Sequence, residues 1–353
     1  MTSRRAFLAG LAALTMPCPT WADAGSPAYL AAAKQGEGYF LHGLTASGQS
    51  LFALPLPSRG HAAAAHPSLP LAVAFSRRPG TFAVVIDCAN GTQTARLTPP
   101  SGRQFNGHGV FSADGSVLYT SEVVAETSEG VIGLWETKGF SRVGEWASGG
   151  IGPHDLKCMR SGALIVANGG IATDPTDRTK LNIDTMRPNL TQLSQSGEIL
   201  AQAELPGLSQ ASIRHLALDP QDEVAFAMQW EGDPAEVIPL LGLWTPGSSP
   251  VLCEAPEAQA PRMKGYAGSI ARNDSGSIAI TSPKGSVVQV FDAVGKYVTS
   301  HDRSDVCGIA PLGETSFLIS DGTGALMALK ADGTESLSQS KVNWDNHLVR
   351  LTS

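Results

Sequence analysis

Short apolar alternations separated by turns run through most of the chain. From residue 38 onward, runs of about five residues, the usual strand length, alternate between apolar and polar positions. The segment 107–122 is typical: a histidine and an apolar alternation precede the Asp114-Gly115 pair, and a second alternation follows it. Such runs and turns predict β-strands joined by hairpins. No long window shows the 3.6-residue period of a helix, so the sequence predicts an all-β protein.

The alternation recurs as seven units. Their equivalent starting positions are about 40 to 60 residues apart, which is the repeat length typical of β-propeller blades with four strands each. The seven starts are His61, His108, His154, His215, Ser269, Cys307 and His347. The repeat therefore predicts a seven-bladed β-propeller, with six or eight blades as the alternatives.

The last unit is too short to form a complete blade. The segment 347–351 supplies only its innermost strand, whereas two further strands are predicted at 39–44 and 51–56, before the first unit. Pairing these N-terminal strands with the C-terminal strand would close the disc and remove an exposed sheet edge. We therefore expect one propeller domain over 38–353. It is preceded by a linker at 25–37, in which the Ala-rich residues 26–35 form either a short helix or irregular chain.

The N-terminus has the pattern of an export signal. Arg4 and Arg5 are followed by an apolar run that is too short to cross a bilayer. This combination predicts a twin-arginine signal peptide at 1–24, which directs folded protein out of the cytoplasm. The expected product is a periplasmic monomer without a stable membrane span.

Charge and motifs exclude several functions. A net charge of -7, with no basic run beyond the extreme N-terminus, argues against nucleic acid as a partner, because binding to phosphates requires clustered Lys and Arg. No C-x-x-C-H motif is present, so the sequence does not support covalent c-type haem. No hydrolase, P-loop or dinucleotide motif is present, and whether the protein is an enzyme stays open.

Five of the eight histidines fall at one position of the repeat. In a propeller this position lies at the start of the innermost strand, so the side chains should form a ring at one mouth of the central channel. The predicted metal ligands are His61, His108, His154, His215, His347 and Cys307. Imidazole and thiolate suit transition metals: iron is the first candidate, and copper or zinc the alternatives. Each histidine could instead simply hydrogen-bond a neighbouring blade or channel water.

The second strands of the units should end near the same mouth. Glu122, Asn168 and Gln229 occupy such ends, and Arg187 follows an insertion at 169–180. We predict that these four residues bind the rest of a metal-bearing ligand. Arg187 and Arg214 could clamp an anion, although an arginine at a rim also commonly braces loops.

Several segments are more specific than repeat text. These segments resemble a family of exported bacterial proteins that has no assigned function and is similar to YVTN-type propellers. They are GHGVFSADGSVLYTSE, GGIGPHDLKCM, KLNIDTMRPNL and WDNHL, and the twin-arginine leader adds to the resemblance. Members tend to be encoded beside imelysin-like periplasmic iron-uptake proteins. The resemblance implies a role in metal handling outside the cytoplasm, with such uptake proteins as partners, but it implies no reaction.

Three functions are compatible with these observations. The first is a propeller that binds a transition metal or a metal-bearing ligand, as an accessory to metal uptake. The second is a metal-dependent periplasmic oxidoreductase, and the third is a protein-interaction platform without metal.

Overall fold

The computed structural model describes residues 18–77 and 82–351. These residues form seven four-stranded sheets, and neighbouring strands within every sheet are antiparallel. The described ranges contain no α-helix. Three short 3₁₀-helices are present, at Trp21–Ala24, Ile183–Thr185 and Ala260–Met263. The predictions of an all-β fold and of seven blades are confirmed.

The strands follow one another along the chain as successive sheets. The chain begins with β1 (Tyr29–Gln35), β2 (Gly38–Leu44) and β3 (Ser50–Leu56). Blade 1 contains β4 (Gly60–Ala65), β5 (Leu71–Ser76), β6 (Ala83–Asp87) and β7 (Thr92–Leu97). Blade 2 contains β8 (Arg103–Phe111), β9 (Val117–Val124), β10 (Glu129–Glu136) and β11 (Ser141–Ile151). Blade 3 contains β12 (Pro153–Cys158), β13 (Leu164–Asn168), β14 (Asn189–Leu193) and β15 (Ile199–Glu204).

The second half of the chain continues this arrangement. Blade 4 contains β16 (Ala211–Leu218), β17 (Val224–Trp230), β18 (Leu241–Trp244) and β19 (Val251–Cys253). Blade 5 contains β20 (Ser269–Arg272), β21 (Ile278–Ser282), β22 (Val287–Phe291) and β23 (Tyr297–Asp302). Blade 6 contains β24 (Val306–Leu312), β25 (Ser316–Asp321), β26 (Ala325–Lys330) and β27 (Gly333–Gln339). The last strand, β28 (Asn343–Arg350), joins β1, β2 and β3 to form blade 7.

The innermost strands of the seven blades form a closed cycle. β4 contacts β8, the contacts continue through β12, β16, β20 and β24, and β28 contacts both β24 and β4. In blade 7 the sheet order is β28, β1, β2, β3, so both ends of the chain contribute to one sheet. Closure by N-terminal strands is therefore confirmed.

One element of this closure differs from the prediction. In the stretch predicted as a linker or short helix at 26–35, Tyr29–Gln35 instead form β1, which pairs with β28 on one side and β2 on the other. Its alanines favour a helix locally. In the fold, however, Tyr29 to Ala33 are all buried, and two neighbouring strands satisfy their backbone groups. Tertiary pairing thus overrides local propensity.

Apolar side chains fill the space between neighbouring blades. Between blades 1 and 2, for example, Phe75, Phe105, Phe111 and Trp135 belong to one buried cluster. The inner strands are buried on both faces, and the buried residues of β17 run without a break from Val224 to Met228. Outer strands such as β3 alternate towards solvent. The core is therefore a ring of seven inter-blade layers around the channel.

The predicted leader is described only at its end. Residues 1–17, with the twin-arginine pair, lie outside the described ranges. Trp21–Ala24 pack onto the propeller, where Ala24 is buried and the Trp21 Nε1 donates a hydrogen bond to the His66 carbonyl at 2.9 Å. Within residues 18–77 and 82–351, no helix has the length and hydrophobicity needed to cross a lipid bilayer.

Candidate metal centre

The innermost strands carry the repeated histidines at β-bulges. The pairing of β4 with β5 shifts register between Gly60 and Ala63, and His61 lies within that shift. Equivalent shifts contain or adjoin the other four histidines, which are His108, His154, His215 and His347. A bulge bends its strand and re-aims the side chain it carries. The bulges thus explain how residues of different blades turn towards one axis.

The five imidazoles form one cluster around His108. His108 is the centre of the group, because its ring centroid lies 4.7 to 5.9 Å from those of the other four. The ring centroid of His347 lies 4.6 Å from that of His61 and 4.9 Å from that of His215. The histidine part of the predicted ring is therefore assembled as expected, with side chains from blades 1, 2, 3, 4 and 7.

Two sets of three donor nitrogens lie close enough to share an ion. His61, His108 and His154 form one set, and His108, His215 and His347 form the other, with all donor atoms in a set within 4.8 Å of one another. Nitrogens about 2.0 to 2.1 Å from a tetrahedral metal are roughly 3.3 Å apart. Small changes of the side-chain torsions would bring either set to that spacing.

Buried ring nitrogens in this cluster lack hydrogen-bond partners. Among the described residues, this is true of His108 Nε2, His154 Nδ1 and His347 Nε2. A buried polar atom without a partner costs about 1–3 kcal/mol, and a metal ion would satisfy several of these atoms at once. The donor set therefore fits a borderline transition metal.

Burial keeps four of the five imidazoles neutral. Burial lowers the pKa of His61 to about 4, and the neighbouring His108 adds to this shift, even though Asp345 opposes it. Burial and the neighbouring imidazoles also lower the pKa values of His154, His215 and His347 well below the usual 6.5. At neutral pH the lone pairs of these four rings are therefore free to bind metal.

Two buried carboxylates lie next to Nδ1 atoms of the histidine ring. The Asp155 Oδ1 lies 3.4 Å from His108 Nδ1, and the Asp345 Oδ1 lies 3.6 Å from His61 Nδ1. Burial alone would raise the pKa of Asp345, but His61 and Arg59 outweigh it and lower that pKa to about 2. Carboxylates in this position fix the tautomer and orientation of a metal-binding imidazole.

Cys307 occupies the equivalent bulge of blade 6, but its thiol points elsewhere. The register of β24 shifts between Val306 and Ile309, and Cys307 Sγ lies 3.6 Å from the carbonyl oxygens of Ser320 and Trp344. Burial raises the pKa of this thiol to about 12. Neither set of clustered donors includes Cys307, so the structure brings together five of the six predicted ligands.

Two of the four predicted ligand-binding residues brace a blade instead of facing the channel. The fully buried Glu122 accepts hydrogen bonds from Arg142 and from the Thr120 hydroxyl, at 2.7 and 2.6 Å. Asn168 is also fully buried, and it hydrogen-bonds Ser148 and Asn189. These contacts hold both side chains against neighbouring strands of blades 2 and 3, and only the Oε2 of Glu122 has no hydrogen-bond partner among the described residues.

The other two predicted residues differ from each other. Gln229 lines a cavity beside the ring, where its Nε2 donates to the Ala267 carbonyl at 3.2 Å. Arg187 does not line that cavity; its side chain is 75% exposed and pairs with Glu204 at 2.6 Å.

The cavity beside the ring has a volume of about 220 Å³. His61, His154 and His215 form part of its wall, and the predicted insertion at 169–180 contributes Arg178 and Lys180. The insertion folds back on itself, with a bridge between Thr173 and Lys180. The side of the histidine ring that faces this cavity is accessible to a small molecule.

Gly107 allows His61 to approach blade 2. Its φ of +95° is a backbone conformation that residues with a side chain rarely adopt, and an added Cβ would lie 2.7 Å from His61 Cδ2. We expect Gly107→Ala to lower the free energy of unfolding by about 1–3 kcal/mol, the cost of such backbone strain, as measured by urea denaturation. Gly144→Ala is the control, since no atom lies within 4 Å of its added Cβ. Equal stability of the two variants would contradict this account.

Comparisons with known proteins identify the family and the fold. The profile of a family described as "Protein of unknown function (DUF1513)" matches residues 54–351. No functionally curated protein matches the sequence.

Three solved structures are similar in fold. A chain of Kuenenia stuttgartiensis hydrazine synthase is 11% identical, with a TM-score of 0.59, and the match covers 87% of this chain and 91% of that one. A chain of a mitotic checkpoint complex is 10% identical, with a TM-score of 0.56, and the coverages are 80% and 77%. A protein of unknown function from Bacteroides caccae is 12% identical, with a TM-score of 0.50, and the coverages are 78% and 94%. At these identities the likeness concerns the fold alone.

Proposed function

We propose that this chain, which belongs to DUF1513, a family of proteins of unknown function, binds a transition metal ion through its five imidazoles. The observation that supports this most is the pair of histidine sets, each with donor nitrogens within 4.8 Å of one another. Neutral imidazole is the commonest protein ligand for such ions. His108 belongs to both sets, and the ion would therefore bind next to it.

The wider role is a proposal of the same kind. The resemblance to exported proteins encoded beside iron-uptake proteins makes iron the first metal to test, and the imidazole donors suit copper and zinc as well. The Arg4-Arg5 leader supports action in the periplasm after export of the folded chain. We propose that the protein binds metal there as an accessory to uptake.

The test is a metal titration of protein recovered from the periplasmic fraction. Metal-free wild type should bind about one equivalent of Fe²⁺, Cu²⁺ or Zn²⁺, as measured by calorimetry and elemental analysis. His108→Ala should weaken binding at least tenfold, because it removes the ligand common to both sets. His301→Ala is the matched control, since His301 lies on the outer strand β23, away from the ring.

Two results would contradict these proposals. Wild type and His108→Ala with equally low occupancy after challenge with all three metals would exclude the metal centre. Recovery of the protein only from the cytoplasmic fraction would contradict the proposed location.

A further inference from the structure

The cavity beside the histidine ring carries an excess of positive charge. One carboxylate, that of Glu231, faces five cationic side chains in its wall. These are Arg77, Arg178, Lys180, Arg214 and Lys284. A low-dielectric cleft lined by one sign of charge concentrates ions of the other sign. The chemistry of the wall therefore favours an anionic ligand.

Arg214 is the most unusual of these cations. It is 7% exposed, and its buried Nε has no hydrogen-bond partner among the described residues. Its nearest ion-pair contact is at the limit of such a pair, 4.0 Å from Nη2 to Glu231, and Glu231 also pairs with Lys180. A buried guanidinium with so little compensation is costly, and an anion in the cavity would supply the missing acceptor.

Two other cations have no carboxylate partner within the described ranges. Arg178 and Lys284 make no ion pair there, and the ammonium of Lys284 lies 4.5 Å from the centre of the Tyr266 ring. Burial lowers the pKa of Arg178, and the charges of Arg77 and Arg59 lower it further. The positive field at this mouth is therefore only partly neutralised by the protein itself.

We infer that this cavity binds a small polycarboxylate, with one carboxylate held by Arg214 and another extending towards the histidine ring. The guanidinium fork matches the geometry of a carboxylate. A volume of about 220 Å³ accommodates several water molecules, which is more room than a chloride ion requires. Because His61, His154 and His215 share the cavity wall, an oxygen of the ligand can complete the coordination of a bound ion. This last step rests on the proposed metal binding, whereas the anion site does not.

The probe for this inference is tricarballylate, a tricarboxylate that chelates metals only weakly. Its affinity is measured by calorimetry with metal-free and with zinc-loaded protein at low ionic strength. Arg214→Met and Arg178→Met should each bind it at least tenfold more weakly than wild type. Arg187→Met should leave the affinity unchanged, because Arg187 is exposed and lies outside the cavity wall. Circular dichroism and the urea midpoint establish that each variant is folded.

The outcomes separate this inference from the proposed function. Binding by metal-free protein that depends on Arg178 and Arg214 supports the anion site even if no metal binds. Tighter binding to the zinc-loaded form supports coordination of the ion by the ligand, and equal affinity in the two forms overturns that step. Absence of binding, or equal affinity in wild type and both cavity variants, overturns the anion site whether or not metal binds. Equal competition by inorganic phosphate would overturn the assignment to polycarboxylates.

Discussion

Replacing Arg142 with methionine is expected to lower the free energy of unfolding by about 3–5 kcal/mol, the usual cost of removing one partner from a buried ion pair. The Arg142 Nη1 lies 2.7 Å from Glu122 Oε1, and the Glu122 side chain is fully inaccessible to solvent. The guanidinium also lies 5.3 Å from the centre of the Trp135 ring. The variant leaves a carboxylate inside blade 2 with the Thr120 hydroxyl as its remaining hydrogen-bond donor.

The control for this prediction uses an exposed pair. Arg187→Met removes a contact with Glu204 in which the side chains are 75% and 45% exposed. Exposed pairs contribute about 0–1 kcal/mol, so this variant should unfold almost as wild type does. Urea denaturation of both variants measures the difference. An Arg142→Met variant within about 1 kcal/mol of wild type, below the range for buried pairs, would show that Glu122 does not depend on its partner.

Acidification is expected to destabilise the metal-free protein strongly between pH 6.5 and pH 4. Burial lowers the pKa values of His42 and His61 to about 4. Below pH 6.5 the unfolded chain binds a proton at each of these residues while the folded protein does not. Stability is therefore full above pH 6.5 and falls as the pH falls. Each such histidine accounts for about 3 kcal/mol over this window, and urea denaturation at intervals of one pH unit measures the sum.

His42 allows the contribution of one histidine to be isolated away from the ring. Its imidazole is buried in blade 7, 5.1 Å from the Trp344 ring and 3.0 Å from the Ser50 hydroxyl. His42→Phe removes one titrating group, so its stability should fall with pH less steeply than that of wild type by about 1.4 kcal/mol per pH unit. Identical slopes in the two proteins, or no loss of stability in wild type between pH 6.5 and pH 5, would contradict the assignment.

The fold could be predicted from the sequence because the repeat specifies it. Each unit has its own turns and apolar alternation, and few folds can be built by stacking units of the same structure. The first strand was missed for the opposite reason. The Ala-rich stretch around Ala31 to Ala33 has weak local preference for a strand, and only its partners β2 and β28 determine its structure.

The candidate site could be predicted in part. The position of a residue in the repeat shows which residues are equivalent in each blade, and from it the clustering of the five histidines could be predicted. It does not identify the direction of a side chain, which depends on neighbouring blades: Cys307 turns to Ser320, and Glu122 turns to Arg142. Asp155, directly after His154, could have been considered as a support for the ring. That it faces His108 of the preceding blade could be learned only from the fold.

Because blade 7 is built from both ends of the chain, it constrains the order in which the protein folds. His347 lies on β28, whose partner β1 comes from the opposite end of the chain. Contacts between residues so distant in sequence carry a large entropic cost and tend to form late in folding. A chain still emerging from the ribosome carries His61, His108, His154 and His215 but lacks the fifth imidazole until β28 has been synthesised. The complete constellation of nitrogens is thus a property of the finished protein alone.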